Sequence, residues 1–264
     1  MNEFDEKWLN LKITNNFIFS KVMQDYEICT KILEMLLGFQ LGDITNQEME
    51  KTIAVTPSAR GVRLDVYVKA EDKVYNVEMQ VVDEKNLPKR SRYYQGIIDL
   101  NTIKKGELYD TLKESYVIFI CTFDPFKESK PVYTFENFCR ENKELALNDG
   151  TYKMFFNTKA YEQVEDEDLK YFLAYVNGIC NKENTFVSKL EERVVEVKNH
   201  DGWRAEFMTL DLLLLENEKK AEARGEARGK LKIAKNLLGK LSVEEIAIIT
   251  GLSQHEIEGL NSGV

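Results

Sequence analysis

Two short segments of period-two alternation constrain this chain most. Arg63-Leu64-Asp65-Val66-Tyr67-Val68 and Val74-Tyr75-Asn76-Val77-Glu78-Met79-Gln80 both alternate, and the polar stretch Lys69-Ala70-Glu71-Asp72-Lys73 between them is short enough for a turn. The pattern predicts a β-hairpin. Side chains of a strand point alternately to opposite faces, which puts Glu78 and Gln80 on one face and Val77, Met79 and Val81 on the other. With Leu64, Val66 and Val68 facing the same core as Val77 and Met79, Asp65 falls beside Glu78 and Gln80. Two carboxylates converging at a sheet edge repel unless positive charge lies between them. A hard divalent cation, Mg²⁺ or Mn²⁺, meets that need, because it takes oxygen ligands and keeps waters for chemistry. On spacing alone a second reading stands beside it, an exposed hairpin face carrying ordinary solvated charges.

The rest of the chain supplies the frame for this hairpin. Residues 14–37 read as a helix capped by Thr14 or Asn15 and closed by Gly38. Residues 50–55 read as a strand ended by Pro57, and Leu87-Pro88 introduces a helix over about 89–104 that stops near Gly106. The continuous apolar run over 115–123 suits a strand buried on both faces. Further strands are expected at 131–138 and 151–157, and the acidic residues 162–168 lead into a helix through Asn177. Together these predict an α/β fold, a mixed central sheet flanked by helices, with a helical extension at the C-terminal side.

At 264 residues the chain can bury a full core, and 43% hydrophobic with 31% charged residues reads as soluble and globular. No apolar run approaches a bilayer span, and the first residues are acidic rather than signal-like, so the expectation is no membrane association and a cytoplasmic protein. Cys29, Cys121, Cys139 and Cys180 are widely spaced, and His200 and His255 offer no ligand spacing. That speaks against a zinc site and against a histidine-based triad. A net charge of −9 argues against a globally basic nucleic-acid binder, but a local basic strip can still supply phosphate contacts.

From residue 186 the chain becomes long, charged and helical, and Glu222-Ala223-Arg224-Gly225 is repeated as Glu226-Ala227-Arg228-Gly229. Mixed charge of this kind supports either a solvated helix or an oligomerising one. Ser242 with Glu245, and Ser253 with Glu256, fit two capping boxes flanking a turn at Gly251, an arrangement like a helix-turn-helix. The second of these helices carries Glu256 and Glu258 and no Arg or Lys, which suits packing better than groove reading.

The ordered blocks Ile13-Thr14-Asn15-Asn16-Phe17-Ile18-Phe19, Gly61-Val62-Arg63-Leu64-Asp65-Val66-Tyr67 and Tyr75-Asn76-Val77-Glu78-Met79-Gln80 resemble the PD-(D/E)XK nuclease superfamily. So do Leu87-Pro88-Lys89-Arg90-Ser91-Arg92-Tyr93-Tyr94-Gln95 and Ile118-Phe119-Ile120-Cys121-Thr122-Phe123-Asp124-Pro125-Phe126. Within the superfamily the chain is similar to the Rpn-type recombination-promoting nucleases, often labelled transposases. The resemblance implies a restriction-endonuclease-like domain over 1–185, followed by the charged helical extension over 186–235 that can mediate homo-oligomers; the capped helices make a small helical tail over 236–264. It implies a Mg²⁺- or Mn²⁺-dependent DNA endonuclease in which Asp65 and Glu78 bind metal, the Met79 carbonyl adds a third oxygen, and Gln80 positions water.

Many relatives have Lys at the last motif position; Gln80 is neutral, and Glu-x-Gln versions are usual in the Rpn-like branch. A second departure is Asn15-Asn16, where the family usually has Asn-Asp. Asn16 either removes a charge from the metal or water network or acts only as a helix cap, where Asn serves as well as Asp. Lys89, Arg90 and Arg92, with Tyr93, Tyr94 and Gln95, form the candidate DNA strip, and Arg60 and Arg63 lie close enough in sequence to join it. Phosphate contacts of this sort carry little base specificity. A rival reading is a catalytically silent DNA-binding or self-assembling interaction protein.

Overall fold

The hairpin forms as the alternation predicts. In the computed structural model, which describes residues 3–53 and 62–261, strands β2 (Val62–Ala70) and β3 (Lys73–Gln80) pair antiparallel, with Val66 opposite Val77 and Val68 opposite Tyr75. Glu71 turns the chain with a left-handed φ of +50°. Arg60 and Pro57 lie outside the described residues.

Among the described residues six strands make one mixed sheet in the order β1-β2-β3-β4-β6-β5. Strand β1 (Ile44–Ile53) pairs antiparallel with β2, and β3 runs parallel to β4 (Glu114–Cys121), which runs parallel to β6 (Thr151–Asn157). Strand β5 (Val132–Phe135) closes the far edge antiparallel to β6. Strand β1 starts at Ile44 rather than at residue 50. Its first half, Thr45-Asn46-Gln47-Glu48, is polar because it lies on an edge strand with one sheet neighbour, so no apolar run announces it.

Strand β3 is therefore central, and this corrects the expectation of a carboxylate pair at a sheet edge. The polar face of the hairpin is covered by helix α4 (Leu87–Thr102), and Tyr67, Val74, Val117, Phe119, Cys121 and Phe155 form a buried cluster with its Leu87, Tyr94, Ile97 and Ile98. Phe119 stacks on Phe155 with ring centroids 5.3 Å apart. Asn76 and Glu78 are buried because the sheet continues on both sides of them and a helix roofs them.

The expected single helix over 14–37 is two, α2 (Asn16–Val22) and α3 (Tyr26–Leu37), after a short α1 (Glu3–Leu9). Asp25 breaks the run by capping α3, its carboxylate accepting the Ile28 N–H at 3.0 Å. Gly38 ends α3 with φ of +74°, as expected. Helices α5 (Glu167–Val176) and α6 (Thr185–Asn199) complete a first compact unit that ends at Asp201. The apolar side of α6, with Phe186, Val187, Leu190, Val194 and Val197, is buried in that unit, so the charged character that begins at residue 186 covers one side of α6 only.

A second unit begins at Gly202 and is built on the long helix α7 (Asp201–Leu237) with α8 (Val243–Thr250) and α9 (Gln254–Asn261). Ala234, Ile246 and Ile257 form its small core, with Leu237, Leu252 and Leu260 around them. Both capping boxes form: Ser242 and Glu245 bond each other's main chain at the start of α8, and Ser253 and Glu256 do so at the start of α9. No helix among the described residues is long and apolar enough to cross a membrane. Cys29 and Cys121 are buried, and burial pushes both thiols up to about 12.

Candidate active site

The regular pairing of β2 with β3 runs from Ala70 and Lys73 to Val66 and Val77. One residue further, side chains take over the cross-strand bonds. The Asp65 N–H donates to Oε1 of Glu78 at 3.1 Å, and the Met79 N–H donates to Oδ2 of Asp65 at 3.2 Å. Each carboxylate is thereby held by the main chain of the opposing strand. Asp65, Glu78 and Gln80, expected together from their spacing, are brought together and all three are buried, Glu78 to 1% exposure.

Glu78 carries a heavy electrostatic load. Burial, and then the charge of Asp65, push its carboxyl up to about 8, against the donors on it. Those donors are the Asp65 N–H and the Asn76 amide on Oε1, the latter at 3.1 Å, and the Arg90 guanidinium on Oε2 at 3.2 Å. The sequence marks Asn76 only by its position two residues before Glu78 on the same face. Among the described residues the Asn76 Oδ1 is buried with no hydrogen-bond partner.

Asn15, not Asn16, caps α2, its Oδ1 accepting the N–H groups of Phe17 and Ile18. Asn16 is left to face the site, where its Nδ2 lies 3.4 Å from Oδ1 of Asp65. Of the two roles left open for Asn16, the structure gives the cap to its neighbour and puts Asn16 at the carboxylates.

The basic strip divides. Lys89, Arg92 and Tyr93 are exposed on α4, and Arg63 is exposed at the start of β2. Arg90 turns inward instead, because Glu78 and Gln80 attract it and aromatic rings flank it: it donates to Oε1 of Gln80 at 2.8 Å and to the Tyr94 hydroxyl at 3.0 Å. Gln95 is buried and donates to Ser115 and Asp99. Ser115 pairs with Val74 at the opposite end of β4 from Cys121, the neighbour of Gln80, so Gln95 is not at the site.

The candidate donor set is all hard oxygen: two carboxylates and a main-chain carbonyl. The Met79 N–H points to β2, and in a strand the carbonyl of a residue points the same way as its N–H, so the Met79 carbonyl faces the Asp65 side. The Gln80 carbonyl points the other way and accepts the Thr122 N–H at 3.0 Å. Among the described residues no cluster of three His, Cys, Asp or Glu side chains forms. The set present fits Mg²⁺ or Mn²⁺, which binds through one or two carboxylates and retains waters, and not a softer metal.

No curated protein and no solved structure matches the chain. The sequence pattern of one family does, over residues 16–223, a span that contains Asn16, Asp65, Glu78, Gln80 and Arg90. This chain belongs to the PD-(D/E)XK nuclease family transposases.

Proposed function

We propose that the chain is a Mg²⁺- or Mn²⁺-dependent DNA endonuclease that hydrolyses phosphodiester bonds in a recombination, mobile-element or defence setting. The observation that carries this reading is the reciprocal anchoring of Asp65 and Glu78 on each other's strand, which holds two carboxylates together despite their repulsion. The family supplies the nuclease class.

In this reading Asp65, Glu78 and the Met79 carbonyl hold the cation, which when bound supplies charge neutralisation at the phosphate and a water of lowered pKa. Gln80 orients the attacking water through its amide. Lys89, Arg92 and Arg63 grip phosphates, and Tyr93 lies against the backbone between them; none of these contacts reads a base. The second unit, with exposed Leu212, Leu213, Leu214 and Leu215 on α7, joins copies of the chain.

Supercoiled-plasmid cleavage tests the proposal, comparing wild type in Mg²⁺ or Mn²⁺ with Glu78→Ala and with EDTA. Metal-dependent cutting that disappears in Glu78→Ala supports it. A folded wild type that does not cut, with cutting restored by Asn16→Asp, makes the chain a decayed enzyme. If neither cuts, the DNA-binding or assembly reading replaces it.

A further inference from the structure

Arg90 makes more contacts at the site than a phosphate-gripping surface residue would. Its Nε donates to the Tyr94 hydroxyl at 3.0 Å, one Nη to Oε1 of Gln80 at 2.8 Å and the other to Oε2 of Glu78 at 3.2 Å. The guanidinium carbon sits 5.3 Å from the Tyr94 ring centre and 5.4 Å from that of Phe119, so the fork is packed as well as bonded. The Arg90 side chain is only 25% exposed.

The bond to Gln80 has a directional consequence. The Gln80 Oε1 accepts from Arg90 while its Nε2 donates to the Val82 carbonyl at 2.7 Å. Both ends of the amide are engaged, which fixes its orientation and leaves one N–H and one lone pair for other partners. Glu78 is fixed in the same way, with Oε1 on β2 and Asn76 and Oε2 on Arg90. A neutral Gln stands at the position where many relatives carry Lys, and a cation from the neighbouring helix touches both that Gln and the motif Glu.

Resting on the nuclease reading, we propose that Arg90 is a positioning residue of the cleavage site: it brings from α4 the positive charge that Gln80 lacks and holds the Gln80 amide and the Glu78 carboxylate in place.

The test compares Arg90→Gln, Arg90→Lys and the double variant Gln80→Lys with Arg90→Gln. Three readouts are taken: single-turnover plasmid cleavage in Mn²⁺, DNA affinity against salt in EDTA, and thermal melting in EDTA. Arg90→Gln is expected to cut about 100-fold more slowly, the scale for losing one preorganised charged donor. Its DNA affinity and salt slope should stay at wild-type values. Arg90→Lys should fall between the two, because an ammonium carries the charge but cannot fork to two acceptors. Moving the charge back to β3 in the double variant should recover at least about tenfold of the lost rate, on the same scale.

In the melting arm Arg90→Gln should melt roughly 5 °C lower, and adding Glu78→Gln should return most of that loss, because the buried Glu78 oxygen left without its donor is then replaced by an amide N–H. Cleavage by Arg90→Gln at the wild-type rate overturns the proposal. So does a loss confined to DNA affinity with the salt slope reduced by about one, which would make Arg90 a phosphate contact. A wild type that never cuts, with the melting losses coupled as described, refutes the nuclease reading alone; additive melting losses refute the placement of Arg90 alone.

Discussion

The Asp65 N–H donates to Oε1 of Glu78 at 3.1 Å, so the two acidic residues of the site are joined across strands by a side-chain bond where a ladder bond would otherwise lie. The return bond, from the Met79 N–H to Asp65, makes the arrangement reciprocal. Two acidic groups are thus built into the pairing of β2 with β3 rather than hung from its surface.

The first consequence is a pH dependence. The Glu78 carboxyl is raised by burial and by Asp65 from 4.5 to about 8, so between those values the folded protein holds a proton that the unfolded chain has released. Stability from this group is greatest at acid pH and falls as pH rises through about 8. Melted in EDTA, Glu78→Gln should gain on wild type as pH increases, by a few degrees at pH 8.5 relative to pH 5. A difference that does not change with pH would mean that Glu78 titrates in the ordinary carboxylate range.

Asn16→Asp should sharpen metal binding at a cost in its absence. The cap belongs to Asn15, so the substitution leaves the start of α2 intact and puts a third carboxylate beside Asp65. Like-charge repulsion of about 1 kcal/mol should lower the melting temperature by about 2–4 °C in EDTA. Titration calorimetry with Mn²⁺ should then show affinity increased by about tenfold, equivalent to about 1.4 kcal/mol.

Lys89 and Arg92 are exposed on α4, unlike Arg90. Lys89→Gln and Arg92→Gln should each weaken binding of duplexes of any sequence to a similar extent. Fluorescence anisotropy across salt concentrations should show the slope of log affinity against log salt reduced by about one per substitution. A change that depends on base sequence would contradict the phosphate role.

Leu212 and Leu215, with Met208, follow one side of α7 at helical spacing and are 57%, 44% and 41% exposed. Leu212→Glu with Leu215→Glu should lower the mass measured by light scattering while leaving far-ultraviolet helicity unchanged. Equal masses for wild type and variant would remove the leucines from any assembly surface.

Legibility in the sequence varied with the kind of signal. Asp65, Glu78 and Gln80 could be placed together because a period of two admits one arrangement once the apolar set is assigned to a face. The break between α2 and α3 was hidden because the apolar pattern continues across Met23 and Gln24; the Asp25 cap is a local signal that the longer pattern obscured. The start of β1 was hidden because an edge strand need not be apolar. Asn76 carries no signal of its own in the sequence, because an amide on a strand face acquires significance only when that face is roofed.

By itself the sequence determined which residues share a strand face, the capping boxes at Ser242 and Ser253, and which family pattern the chain carries. These depend on backbone periodicity and on bonds between near neighbours. Tertiary structure decided that the carboxylate face is buried, that Asn16 meets Asp65 while Asn15 caps the helix, and that Arg90 leaves a basic strip to reach Glu78 and Gln80. The spacing of Lys89, Arg90 and Arg92 describes one helix turn and is silent on what lies opposite it. The direction of a guanidinium is chosen by the acceptors it meets, and here those acceptors come from a strand ten and twelve residues earlier in the chain.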